Sequence, residues 1–199
     1  VQKVVDLKEL LEVRHSVFII GPSGSGKTEL WKTLAATNTA MGQKTYVQDV
    51  NPKAVTSNEL YGYINPLSRE WKDGLFSIIM RNMSDAGGTN PRWIVLDGDI
   101  DPEWIESLNT VMDDNKLLTL PNGERLALPS NVRIMFEVEN LQYATLATVS
   151  RCGMVWFSEQ TLNAHLVCTQ YLGRLRDEEL DTGEDMQVDM AALARDGDD

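Results

Sequence analysis

The residues best equipped for chemistry are Gly21-Pro22-Ser23-Gly24-Ser25-Gly26-Lys27-Thr28, which satisfy G-x-x-x-x-G-K-[ST] at every fixed position. Glycine at those places lets backbone N–H groups curl around an anion with no Cβ in the way. A helix beginning at this loop adds the field of its positive end. The expected ligand is a nucleotide, with Lys27 reaching its β- and γ-phosphates and the Thr28 hydroxyl holding Mg²⁺. Such a loop needs a strand before it and a helix behind it. His15–Ile20 is an apolar, β-branched run, and Glu29–Thr37, with Leu30, Trp31 and Leu34, predicts a helix.

A second group completes that chemistry. Trp93-Ile94-Val95-Leu96 is a continuous apolar run, as in a strand buried on both faces, and it ends on Asp97. Ligands of doubly wound sheets collect at that end of the strands, so Asp97 is expected to orient Mg²⁺ or its water. Glycine follows at position 98 and offers no base. Asp99 would share a face with Asp97 if the strand stayed extended, and Asp101 is more remote. A missing general base lowers a rate by about 10²–10⁴. The sequence therefore predicts a site that binds ATP (or ADP) with Mg²⁺ and turns ATP over poorly. No Asn-Lys-x-Asp run that would recognise guanine occurs, so adenine is the default base.

The remaining chain must position these groups. Val1, Val4, Leu7 and Leu11 predict a short amphipathic helix, and Lys44–Val50 a strand. Leu60–Gly74 reads as an ordered insertion, Leu75–Met83 as a helix, and Asp85–Pro91 as a loop. Asp101 and Pro102 mark a helix start that should run to about Met112. Leu117–Leu120 and Leu126–Leu128 flank an Asn-Gly pair and predict a β-hairpin. Val132–Val138 reads as another buried strand, Leu141–Ser150 as a helix or turn, Met154–Phe157 as a short strand and Gln160–Leu175 as a closing helix. The fold class is α/β: a three-layer P-loop domain over 1–158 with a mostly parallel sheet and a β-hairpin insertion. Residues 159–176 lead out of it, and 177–199 form an acidic tail.

Composition narrows the classes further. The net charge is −12, but residues 177–199 hold ten acids against Arg195 alone, so the main body is only mildly acidic. It has no basic stripe, which argues against nucleic acid as a partner. No apolar run approaches the roughly 20 residues of a bilayer span, so no membrane partner is expected. Cys152 and Cys168 lack metal-ligand spacing and are expected as packed thiols in a reducing compartment. Trp31, Trp71, Trp93, Trp104 and Trp156 read as core or interface packing, and His15 and His165 lack plausible metal partners. The chain opens on Val1 and reads as a piece of a longer polypeptide.

Four stretches, GPSGSGKT, NPKAVTSNELYGYINPLSREWKDGLFS, WIVLDGDIDPEWIESLNTVMDDNKLLTLPNGERLALP and NVRIMFEVENLQYATLATVSRCGMVWFS, resemble the second AAA+ module of dynein heavy chains. The likeness covers about residues 1–175 and looks nearer to the cytoplasmic than to the axonemal type. It implies an AAA+ large subdomain within a ring of six modules that moves on microtubules in the cytoplasm (alternatively in the axoneme of a cilium). AAA+ machines that hydrolyse place a Glu where Gly98 stands, and in this family the second module binds nucleotide without an effective one. The likeness also implies that Arg151, in Ser150-Arg151-Cys152-Gly153, is an arginine finger acting on the neighbouring module's ATP. Spacing alone would make Arg151 an ordinary surface or ion-paired residue. Implied partners are the neighbouring modules and linker of the same heavy chain, with microtubules and light and intermediate chains reached through the whole motor. The 53–74 segment and the Leu117–Leu128 hairpin resemble inserts that face the linker. A sensor Asn is expected near the end of the 132–138 strand, but Glu137, Glu139 and Asn140 compete and none is assigned. The lid that completes such a module is mostly absent. The alternative reading is an autonomous P-loop enzyme, an active ATPase or a kinase.

Overall fold

Apolar runs alternating with turn residues build a parallel sheet wrapped in helices. In chain order the elements are α1 (Gln2–Val13), β1 (Ser16–Ile20), α2 (Lys27–Ala40), β2 (Tyr46–Val50), α3 (Ser57–Tyr61), β3 (Gly62–Ile64), β4 (Trp71–Asp73), α4 (Leu75–Asp85), β5 (Arg92–Asp97), α5 (Pro102–Ile105), α6 (Asn109–Met112), β6 (Leu117–Thr119), β7 (Arg125–Ala127), β8 (Val132–Val138), α7 (Leu146–Arg151), β9 (Gly153–Trp156) and α8 (Ala164–Asp177). This computed structural model describes residues 1–85, 87–158 and 161–177. The expected acidic tail lies outside them from residue 178 onward, as does the expected helix start at Gln160. Two compact units are distinguished: Val1–Thr161 carries the whole sheet, and α8 belongs to the second, which begins at Leu162.

The central sheet has the order β2-β5-β8-β1-β9. All of its neighbouring strands run parallel. Successive side chains point to opposite faces, so the three inner strands β5, β8 and β1 each feed two cores. Val17, Ile19, Trp93, Val95 and Met135 pack with Leu7 and Leu11 of α1 and Leu30 and Leu34 of α2. Phe18, Ile20, Ile94, Leu96 and Phe136 pack with Leu60, Phe76, Met80, Ile105 and Val111 on the other side. Both faces being covered explains why β1 and β5 read as unbroken apolar runs. Aromatic pairs tie the second core together, with Phe18 and Phe136 centroids 4.8 Å apart and Trp104 and Phe136 6.2 Å apart.

The expected helix from Pro102 to Met112 is interrupted by a 3₁₀ turn at Glu106–Leu108. The carbonyl of Trp104 accepts the buried Tyr61 hydroxyl. Just beyond it, Asn109 donates back to Glu106 in the tighter pattern. Burial pushes the Tyr61 phenol pKa upward, so this donor stays protonated. The 57–74 insertion is a capped helix turning into the hairpin β3–β4. Thr56 and Glu59 cap α3 reciprocally, with Thr56 N–H donating to the Glu59 carboxylate at 2.9 Å and Glu59 N–H to the Thr56 hydroxyl at 3.3 Å. The second hairpin, β6–β7, follows the Asn-Gly signal, and Gly123 has φ +85° at its turn. Arg81 of α4 holds that turn bidentately through Glu124, at 2.6 Å to each oxygen, and reaches Asp73 of β4 at 3.2 Å. Helix α8 starts later than expected because the Asn163 side chain caps it, accepting from His165 N–H at 2.9 Å. Of the two thiols expected to be packed, Cys152 is buried but Cys168 is exposed.

Candidate functional site

The loop Gly21–Gly26 leaves the C-terminal end of β1 and enters α2, whose first turn carries Lys27 and Thr28. Glycine is required by geometry at several places in the loop, most clearly at Gly21 and Gly26. A Cβ on Gly21 would sit 2.6 Å from both the Cβ and the carbonyl oxygen of Phe157, just beyond β9. Gly26, which opens α2, holds φ +93°, a left-handed conformation that side chains resist. Lys27 lies across the loop, its ammonium donating to the carbonyls of Gly21 at 2.9 Å and Pro22 at 3.0 Å. The Ser25 hydroxyl is buried in the loop beside Gly21 and has no hydrogen-bond partner among the described residues. An ordered loop of main-chain N–H groups with one ammonium, packed so that a Cβ on Gly21 would clash, fits a polyphosphate.

Three strands converge on this loop. Asp97 ends β5 and stands in register with Glu137 of β8, which in turn pairs with Ile19 of β1. Because β8 lies between β5 and β1, Asp97 is two strand spacings, roughly 10 Å, from the strand that carries the loop. Its carboxyl accepts no hydrogen bond among the described residues. Partial desolvation first, then the charge of Glu137, pushes its pKa above the usual carboxylate range, with Lys27 opposing. Thr28 and Asp97 are thus brought to the same end of the sheet, as a shared Mg²⁺ requires, although Thr28 does not bond to Asp97. Its hydroxyl donates at 2.6 Å to Glu137.

Glu137 is the residue that sequence reasoning left unassigned. It is only 6% exposed, and its second oxygen accepts the Trp31 indole N–H at 3.0 Å. A lone acid inside the run Val132–Val138 was the available signal, since a charge is buried in an apolar strand only when it has partners. Trp31, expected as packing, also serves as a hydrogen-bond donor. The strand bends after Asp97, so Asp99 does not continue along the Asp97 face as an extended chain would have placed it. It pairs instead with Lys53 at 3.4 Å. Gly98 remains in the ladder, donating to the Glu137 carbonyl at 3.1 Å.

Arg151 closes α7 at the other end of the sheet. In the pairing of β9 with β1, Gly153 lies opposite Val17 and Trp156 opposite Ile20. Arg151 therefore sits roughly 15–20 Å from the phosphate loop, too far to serve it. Its guanidinium bonds through Nε to Asp113 and through Nη1 to the Ala147 carbonyl at 2.7 Å. No local pattern pointed to Asp113 as its partner.

Residues 16–152 match the family of AAA domains of the dynein-related subfamily. A cytoplasmic dynein heavy chain of Drosophila melanogaster is 51% identical over 98% of this chain, and one of Dictyostelium discoideum 49% over 94%. A ciliary dynein beta chain of Tripneustes gratilla is 55% identical over 86%. In each case the chain spans about 4% of the relative's length. A parallel sheet, a phosphate loop after β1 and a family match over most of its length agree: this chain belongs to the dynein-related AAA domains and is a module of a dynein heavy chain.

Proposed function

We propose that this chain is the second AAA+ module of a dynein heavy chain, one that holds ATP (or ADP) with Mg²⁺ and hydrolyses it poorly. The observation that carries this reading is the end of β5. Asp97 faces the phosphate loop, Gly98 has no side chain, and the next acid, Asp99, is engaged with Lys53. Gly21–Thr28 would hold the phosphates, and Thr28 and Asp97 the cation, which neutralises phosphate charge when bound. Lys27 would exchange its carbonyl partners for phosphate oxygens. With Asp97 given to the cation and Asp99 paired with Lys53, no described side chain at the end of β5 is left to deprotonate an attacking water.

The same reading gives Arg151 to the ATP of the neighbouring module, and its distance from its own loop supports service elsewhere. The module then acts through its neighbours and the linker within a microtubule motor that also carries light and intermediate chains. The cytoplasmic type is preferred on the stretches LPNGERL and FEVENLQYATLATVSRCGMVWFS and on the 98% and 94% coverage by the Drosophila and Dictyostelium chains, while ciliary beta chains match at the higher identity of 55% over 86%. The test is nucleotide occupancy of this pocket in the complete heavy chain, read by electron cryomicroscopy. Lys27→Ala should empty it. Occupancy unchanged in that variant, or wild-type turnover in the pocket on the order of 1 s⁻¹, an ordinary enzyme rate, would reject the proposal.

A further inference from the structure

We propose that Glu137 is a positioning residue for the divalent cation, fixing the Thr28 hydroxyl so that its oxygen lone pairs face the metal. The inference rests on the reading of the loop as a Mg²⁺–nucleotide site and adds a residue and a direction to it. The argument concerns hydrogen-bond polarity. An indole N–H can only donate, and an ionised carboxylate can only accept. Trp31, 7% exposed, occupies one oxygen of Glu137 at 3.0 Å. Glu137 meets Thr28 through the other at 2.6 Å, so the hydroxyl must be the donor there. A hydroxyl whose proton is committed in this way keeps both lone pairs for a cation.

Position strengthens the case. Glu137 lies against the first turn of α2, where the helix end favours negative charge, and Thr28 and Trp31 are three residues apart on one face of that helix. Asp97 stands in register beside it on the adjacent strand, about 4.8 Å away across the sheet. Two carboxylates side by side with one hydroxyl call for a compact, doubly charged, oxygen-seeking ion, and Mg²⁺ characteristically uses one or two carboxylates plus phosphates. Outer partners of metal ligands typically change metal affinity about 10–100-fold when altered.

The test is a reversal and its repair. Glu137→Gln offers one acceptor and one donor. Trp31 can only donate, so it takes the amide oxygen, and the amide NH₂ must then donate to Thr28. That consumes a lone pair and turns the hydroxyl proton toward the metal. In the complete heavy chain, with ATP as probe, pocket occupancy is read by electron cryomicroscopy across a series of free Mg²⁺ concentrations. Glu137→Gln should raise the Mg²⁺ needed for half-occupancy about 10–100-fold, while metal-free ATP occupancy stays at the wild-type level. Trp31→Phe removes the competing donor, so in the double variant the introduced amide oxygen is free for Thr28 and most of the loss should be recovered. A purely packing role predicts the reverse, a double variant worse than either single one. An unchanged Mg²⁺ dependence in Glu137→Gln, or no recovery in the double variant, overturns the proposal. If Glu137→Gln alone does not fold, the double variant must still show near-wild-type Mg²⁺ dependence. Absence of ATP from the wild-type pocket at every Mg²⁺ concentration would instead sink the nucleotide reading itself.

Discussion

Replacing Gly98 with Glu tests directly whether a base is what the site lacks. A Cβ built on Gly98 meets Asn51 Oδ1 at 3.2 Å and the Pro52 ring at 3.4 and 3.7 Å. Only the first contact is tight, and Asn51 must give by a few tenths of an ångström. Asn51 caps the short 3₁₀ turn Pro52–Ala54, its Oδ1 accepting from Lys53 N–H at 3.0 Å. Losing the cap entirely would cost about 1 kcal/mol, a factor of about five in a local equilibrium. A positioned general base contributes about 10²–10⁴ in rate, so the chemical gain exceeds the steric cost. Taking about 1 s⁻¹ for a competent site, the wild-type pocket should turn over at about 10⁻² s⁻¹ or slower, a half-life of about a minute or more. The assay is the identity of the nucleotide in this pocket when complete heavy chains are frozen about 10 s after ATP is added, a delay set between those two timescales. Wild type and Gly98→Gln, which matches the size of Glu without its basicity, should hold ATP, whereas Gly98→Glu should hold ADP. If Glu and Gln behave alike, or wild type already holds ADP, the missing base is not the reason for slow turnover.

Arg151→Ala should depress ATP hydrolysis by the neighbouring module about 10³-fold or more and stop microtubule gliding, whereas Asp113→Ala, which only breaks a partly exposed ion pair, should change the rate no more than about fivefold. Gly21→Ala forces a methyl against the Phe157 backbone, an overpacking cost of about 1–3 kcal/mol, and should appear both as a lower unfolding temperature and as lost nucleotide occupancy. Burial pushes the Cys152 thiol up to about 12, so at pH 8 only about one molecule in 10⁴ is thiolate; peptide-resolved alkylation should label Cys168 in native protein and Cys152 only after unfolding. Burial lowers the His15 pKa, outweighing its donation to the Val111 carbonyl at 3.0 Å. The unfolded chain therefore binds more protons between the folded value and about 6.5. Stability contributed by this group is complete above about 6.5 and is lost as pH falls below it; pH-dependent unfolding of His15→Gln should lack that component.

Legibility in the sequence followed the range of the interactions involved. The phosphate loop was readable because its requirements are contiguous: glycines, one lysine and one hydroxyl within eight positions. The inner strands β1 and β5 were readable because burial on both faces leaves a continuous apolar run. The break at Glu106–Leu108 was not, since it accompanies a hydroxyl on Tyr61 reaching Trp104 from a distant element. Asp113 and Arg151 are likewise joined across the fold, and nothing contiguous announces such a pair. Glu137 falls between these cases: its oddity in an apolar strand was visible, but its partners depend on the register that sets β8 beside β1.

That register also bears on why a buried acid so near the phosphate loop need not act as a base. A general base must have a free lone pair directed at the proton it removes, within about 2.6–3.2 Å. Glu137 has committed one oxygen to Thr28 and the other to Trp31, both on the α2 side of the sheet. Gly98 projects its missing side chain toward the opposite side, against Asn51 and Pro52. The acid that is present and the acid that is missing would therefore occupy different faces of the sheet, and neither can take the other's place by a change of rotamer. Moving Glu137 to the reacting side would require a one-residue slip of β8, which would turn its buried apolar residues to the wrong faces at once. On this reading slow turnover is built into strand register, so a substitution at position 98 can restore the base while no repacking around Glu137 can.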